Sequence, residues 1–237
     1  MINGEVVDSS NYKFFVGLYN DEEKRVSESG VLIDSHWILT STHMLNYNRP
    51  EDTIKIATCP YEDGVITRFE TLSSIEKIVP MPKFNIPTTG GNIEAEPDIS
   101  LVKSTQRLDV GGAEILPLLQ LYLPDSSEVT LLGLGSDSQL PRLKSGKFYE
   151  SHNTVFESHK NNPVNQDFVS SQYGVSEAEK GGPIIFNLSS EDRRLVGVLS
   201  TGIGSPPSSQ ITATGLFRPE VIIWMEETIG KRFSNSC

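Results

Sequence analysis

Apolar residues recur along this chain in short stretches that alternate with polar positions or run unbroken for a few residues, each bounded by turn formers. The stretches are Lys13 to Tyr19, Gly30 to Ser41, Thr53 to Ala57, Ile99 to Lys103, Glu128 to Leu134, Pro183 to Phe186 and Leu195 to Ser200. A period of two, or a brief continuous run between turn signals, predicts strands. We read them as the strands of one or two closed barrels. The one clear helix pattern comes last: Pro219 and Glu220 suit a first turn, Val221, Ile222, Trp224, Met225 and Ile229 form an apolar stripe, and Gly230 and Lys231 mark the end. Two polar stretches, Pro82 to Glu96 and Ser136 to Asp167, read as long surface loops.

Composition narrows this picture. The chain has 237 residues, enough to bury a large core, and 19 glycines and 14 prolines spread along it favour many short elements over long helices. The formal net charge of −11 repels phosphate backbones and anionic lipid, so nucleic acid is not an expected partner. No apolar run approaches the roughly 20 residues that span a bilayer, and no charged start with an apolar core marks a signal peptide. A soluble, already processed chain without membrane association is expected. The two cysteines, Cys59 and Cys237, cannot make a framework of several bridges, and their pairing is left open by sequence. So low a cysteine count favours a reducing compartment.

Three segments carry candidate chemistry. His43 sits in WILTSTHML, where an apolar strand runs into small hydroxyl residues; Asp98 opens DISLVK; Lys180 stands in EAEKGGPIIF, where paired glycines and a proline precede another apolar strand. In order, these resemble the LTAAHC, DIALLKL and GDSGGPLV motifs of the chymotrypsin and trypsin family, which carry its histidine, aspartate and serine. INGE at Ile2 to Glu5 is similar to the family's IVGG start, LLGLG at Leu131 to Gly135 to VSGWG, LVGVLSTGIG at Leu195 to Gly204 to LVGIVSWGIG, and TGLF at Thr214 to Phe217 to PGVY. The resemblance covers essentially the whole chain. It implies an all-β fold of two packed antiparallel six-stranded barrels, chymotrypsin-like, with a C-terminal helix. The implied division is 2–110 for the first barrel, 111–218 for the second and 219–232 for a helix packed on the second.

The departures from the family bear on function. In the family's mechanism serine attacks the carbonyl, histidine takes its proton and the buried aspartate orients the imidazole. Lys180 stands in the serine's place, so His43, Asp98 and Lys180 form a degenerate triad. A lysine amine is normally protonated near neutral pH, and acyl transfer to it would give an amide as inert as the substrate. Removing the nucleophile of a comparable triad lowers turnover about a million-fold. The resemblance puts the oxyanion-hole N–H groups at Lys180 and Ala178, where alanine replaces glycine and its backbone freedom. Glu179 replaces the aspartate that pairs with the new amino terminus, expected here to be Ile2 once Met1 is absent. Gly174, Ser200, Thr201 and Gly202 make an altered specificity pocket with no preference for basic residues. The family's bridges are missing, with Glu28 and Met44 at one and Ser176 and Ser205 at another.

These features imply no enzyme but a pseudoprotease that binds other proteins. The mutated triad makes the chain similar to the inactivated serine protease paralogues of the scabies mite. That likeness implies secretion, a monomer, and binding of host complement components that blocks the cascade. The alternative is a weakly active peptidase using another nucleophile, such as Ser176. His36, His152 and His159 lack partners at metal-ligand spacing, so neither metal nor cofactor is expected. Asn187-Leu188-Ser189 is an N-glycosylation sequon, of consequence only in a secretory pathway.

Overall fold

The computed structural model describes residues 1–23, 25–45, 53–58, 71–88, 91–109, 114–134, 143–151, 164–175, 179–189 and 191–233. Cys59, Cys237, Ser176, Ala178, His152 and His159 lie outside them.

Fifteen strands, two α-helices and a 3-10 turn at Ser9–Asn11 are distinguished among these residues. The first barrel closes in the order β2 (Phe15–Asn20), β3 (Arg25–Asp34), β4 (Trp37–Thr40), β9 (Ser100–Ser104), β6 (Thr71–Pro80) and β5 (Ile54–Thr58), and back to β2, all antiparallel. The second uses β11 (Leu143–Glu150), β10 (Glu128–Leu134), β13 (Pro183–Phe186), β14 (Arg194–Ile203), β15 (Ser209–Gly215) and β12 (Asn165–Ser170), closed by pairing of β11 with β12. Closure removes the unpaired strand edges that would otherwise invite association. This is the expected architecture of two closed six-stranded antiparallel barrels.

Burial explains why the apolar runs are strands. Every residue of β4 is buried, and so are all but one of β2 and of β9, because a barrel strand packs inward on one face and against its neighbouring barrel or connections on the other. One apolar cluster spans both barrels, joining Phe15, Leu39 and Leu101 of the first to Leu132, Leu195 and Leu216 of the second. Separate clusters fill the two interiors, around Leu18, Ile38 and Val102 in one and Leu131, Phe148 and Ile211 in the other.

Four expectations need correction. The stretch Gly30 to Ser41 is not one strand but β3 and β4, turned at Ser35 and His36. Pro82 to Glu96 is not a plain loop: β7 (Phe84–Thr88) and β8 (Gly91–Ala95) pair as a hairpin whose Ile86 and Ala95 are buried. Ser136 to Asp167 contains β11 and the start of β12. Finally, β1 (Glu5–Val6) pairs with β11, so the amino-terminal residues assigned to the first barrel join the second.

The last helix, α2 (Pro219–Ile229), has proline at its start and Gly230 in the left-handed conformation at its end, as the sequence predicts. Val221, Ile222 and Met225 enter the cluster shared by both barrels, and Lys231 Nζ donates to Asp34 Oδ2 of β3 at 2.8 Å. The helix therefore ties the barrels together rather than packing on the second alone.

Candidate active site between the barrels

His43 lies on α1 (Thr42–Leu45), immediately after β4, and Asp98 stands two residues before β9. Because β4 and β9 pair with Thr40 opposite Ser100, the residues that extend beyond this end of the ladder meet. Thr42 Oγ1 and Ser100 Oγ are hydrogen-bonded at 2.9 Å. Asp98 Oδ1 accepts the His43 backbone N–H at 2.9 Å, and His43 Nδ1 lies 2.5 Å from Asp98 Oδ2. Two residues distant in sequence are thus joined by two bonds.

The second barrel completes this arrangement. Ser200 Oγ donates to Asp98 Oδ2 at 2.6 Å, and Thr214 Oγ1 donates to the Asp98 carbonyl at 3.3 Å. Ser200 can reach because the β14–β15 register shifts between Leu199 and Thr201, and such a bulge re-aims a side chain. Burial alone would push the Asp98 carboxyl up, but the hydrogen bonds from His43 and Ser200 outweigh it and hold its pKa below the usual carboxylate range. An ionised carboxylate only accepts, so Nδ1 carries the proton and, in the neutral ring, Nε2 keeps the lone pair. The side chains of His43 and Asp98 are 32% and 20% exposed, so the imidazole is open to solvent.

Lys180 occupies the turn ahead of β13. Its carbonyl accepts the Ser29 N–H at 3.2 Å, while Gly181 N–H donates to Leu199 O and Gly182 N–H to Glu179 O. Gly181 has φ +76°, and a Cβ there would stand 2.2 Å from Thr40 Oγ1 and 2.3 Å from Ser29 O. Only glycine lets the turn approach the first barrel this closely. The backbone consequently brings Lys180 to the first barrel beside Thr40 and Ser41, which lead into His43.

Glu179 is fully buried, and its Oε1 accepts the ammonium of Met1. Gly133 of β10 makes the space, since a Cβ there would fall 2.4 Å from Glu179 Cγ. The expected partner was Ile2, and this is a correction of one residue. Met1 is 2% exposed with its side chain against Gly4, Gly146 and Tyr173, whereas Ile2 is 42% exposed and exchanges backbone hydrogen bonds with Gly174. Asn3, at φ 55°, forms the turn between Ile2 and β1.

Around the expected specificity pocket, Gly174 packs beside Ile2, Pro206 and Ser209. Gly202 pairs with Ile211 across β14 and β15, and Thr201 with Thr212. A Cβ on Gly202 would lie 2.1 Å from Val175 Cγ2 and 3.2 Å from Ile211 Cγ2. Val175 and Ile211 thus stand directly against the glycine that should leave a pocket open. Neither was singled out from sequence. Val175 lay unremarked beside Gly174, and Ile211 comes into place only through the bulged register. Glu28, at one of the lost bridges, is buried in β3. Asn187 is exposed at the end of β13, and among the described residues no three His, Cys, Asp or Glu are grouped to hold a metal.

The dyad, the turn before β13 and the buried amino terminus agree with comparison to known families, in which the Trypsin family model matches residues 1–217. The chain belongs to the trypsin family. No curated protein matches it. In this member of the trypsin family His43 and Asp98 are in contact, and Lys180 lies in the turn ahead of β13.

Proposed function

We propose that this chain is a serine protease homologue without peptidase turnover that works by binding other proteins. The carrying observation is Lys180 in the turn that β13 and Gly181 press against the first barrel, where the family presents its nucleophile. His43 and Asp98 are assembled to receive a proton, but a lysine at that turn offers no hydroxyl from which to take one. Val175 and Ile211 against Gly202 support the same reading, because a side chain that specifies a substrate needs the space they take. On this account the His43–Asp98–Ser200 network serves to lock the two barrels across their boundary.

The likeness to inactivated mite paralogues supports a secreted protein whose partners are host complement components. Immobilised chain should retain complement components from plasma, and added chain should lower complement-mediated lysis with increasing dose. Plasma from which nothing of the cascade is retained, together with unchanged lysis, would remove the partner assignment while leaving the loss of turnover standing. The rival reading, a weak peptidase with Ser176 as nucleophile, draws support from the intact dyad. Reaction of the chain with a serine-directed fluorophosphonate, lost in Ser176→Ala, would favour it.

A further inference from the structure

The second barrel carries a feature that neither the dyad nor the Lys180 turn uses. Asn187-Leu188-Ser189 is the only Asn-x-Ser/Thr sequence in the chain. It lies in the turn that follows β13, with Asn187 and Ser189 both exposed and Asn187 at φ 55°. Asparagine tolerates the left-handed conformation better than most residues, so the turn presents this side chain outward without the strain a bulkier residue would bring. Lys180 lies in the turn that leads into the opposite end of the same four-residue strand, so a group attached at Asn187 stands away from the cleft.

Beside Asn187 runs a groove of about 300 Å³, lined by Tyr12, Tyr173, Phe186, Glu5, Glu128 and Thr130 among others. Its chemistry is that of a sugar site, with aromatic side chains among its lining for the apolar face of a pyranose and oxygen acceptors for its hydroxyl and amide protons. The acceptors are held in place: Tyr173 Oη donates to Glu5 Oε1 at 2.9 Å, Tyr149 Oη to Glu128 Oε2 at 3.1 Å, and Lys147 Nζ pairs with Glu128 Oε1 at 3.0 Å. A groove with such a lining next to an acceptor asparagine has room for the residue that would be attached there.

We propose that Asn187 is an N-glycosylation site and that the first N-acetylglucosamine lies in this groove, against Phe186 and Tyr12 with its polar groups towards Glu128 and Thr130. The glycan covers the outer face of β10 and β11 and leaves the cleft between the barrels accessible. This rests on the secreted location proposed above, but not on the binding of any partner.

The test is to pass the full chain through a eukaryotic secretory pathway behind a cleavable leader that leaves Met1 as the amino terminus. Peptide mapping after enzymatic release of N-glycans, which converts a glycosylated Asn to Asp, is expected to find conversion at Asn187, and to find none in Asn187→Gln or Ser189→Ala. Secreted, folded chain with Asn187 unmodified would overturn the site. For the groove, the melting temperature is compared before and after glycan release in the parent, Tyr12→Ala and Phe186→Ala. Each variant serves as its own reference, so an effect of the substitution on folding cancels. Release should lower the melting temperature of the parent and change that of the variants less; an equal shift in all three would show a glycan that does not touch the groove.

Discussion

At the residue scale the decisive positions are Asp98, Lys180, Glu179 and Val175. Asp98 takes three hydrogen bonds at its carboxylate, one of them from the other barrel. Its folded pKa is lowered, so the stability it contributes is complete above its unfolded value, about 3.9, and is lost as pH falls through the lower folded value. Denaturant titrations should show Asp98→Asn costing about 1.5–3 kcal/mol at pH 7, with the difference from the parent shrinking below about pH 4. The buried pair of Met1 with Glu179 predicts a larger effect, since removing one partner of such a pair costs about 3–5 kcal/mol. Glu179→Gln, or acetylation of the Met1 amine, should lower the melting temperature by roughly 10 °C; an unchanged melt would show the pair to be dispensable. The contact of His43 with Asp98 was legible because their segments resemble the family's LTAAHC and DIALLKL motifs. The exact amine was not, because matching the start by letters favoured Ile2, while burial and the turn at Asn3 decide for Met1. Val175 was illegible because its importance lies in what faces it, and it predicts that Val175→Gly added to Lys180→Ser and Ala178→Gly raises kcat/KM on small peptides about tenfold or more.

The elements that create the site are short and depend on register. The β4–β9 pairing sets His43 beside Asp98, the bulge in β14 delivers Ser200, and the turn at Gly181 delivers Lys180. A methyl group at Gly181 meets both a backbone oxygen and Thr40, at a φ that side chains rarely adopt. Gly181→Ala should therefore cost about 1–3 kcal/mol and raise hydrogen exchange at the Ser29 amide, whose partner is the Lys180 carbonyl. Protection of that amide equal to the parent's would contradict the fit described. Strands with strong apolar runs, such as β9, β10, β13 and β14, were visible in the sequence. The hairpin of β7 and β8 was not, because Pro87 and its polar, glycine-containing surroundings carry a loop signature, although Ile86 and Ala95 are buried and Phe84 packs partly against the core. Nor was β11, whose residues Leu143–Glu150 alternate weakly and include Gly146 and two lysines.

At the scale of the whole molecule, the apolar cluster common to both barrels and α2 makes them one unit, although each barrel also has its own interior. The chain has two tryptophans, Trp37 in β4 and Trp224 in α2. Each alone, in Trp224→Phe and Trp37→Phe, should report the same unfolding transition, and two separate transitions would show that the shared cluster does not couple the barrels. Family membership and barrel number followed from motifs spread over the chain, whereas the strand order came only with the structure, and the tie from α2 to β3 through Lys231 and Asp34 had no sequence signal, because the two residues are 197 apart. The claim on which the functional account rests is that this assembled cleft does not turn over peptides. It is tested most directly by assaying the chain, starting at Met1, on a broad peptide library at several pH values alongside reaction with a serine-directed fluorophosphonate, with Lys180→Ser plus Ala178→Gly as the comparison. The account predicts no cleavage and no labelling by the parent, and labelling at position 180 in the comparison, since His43 and Asp98 are already in place. Cleavage by the parent together with fluorophosphonate labelling would contradict it and make the chain a working peptidase with another nucleophile.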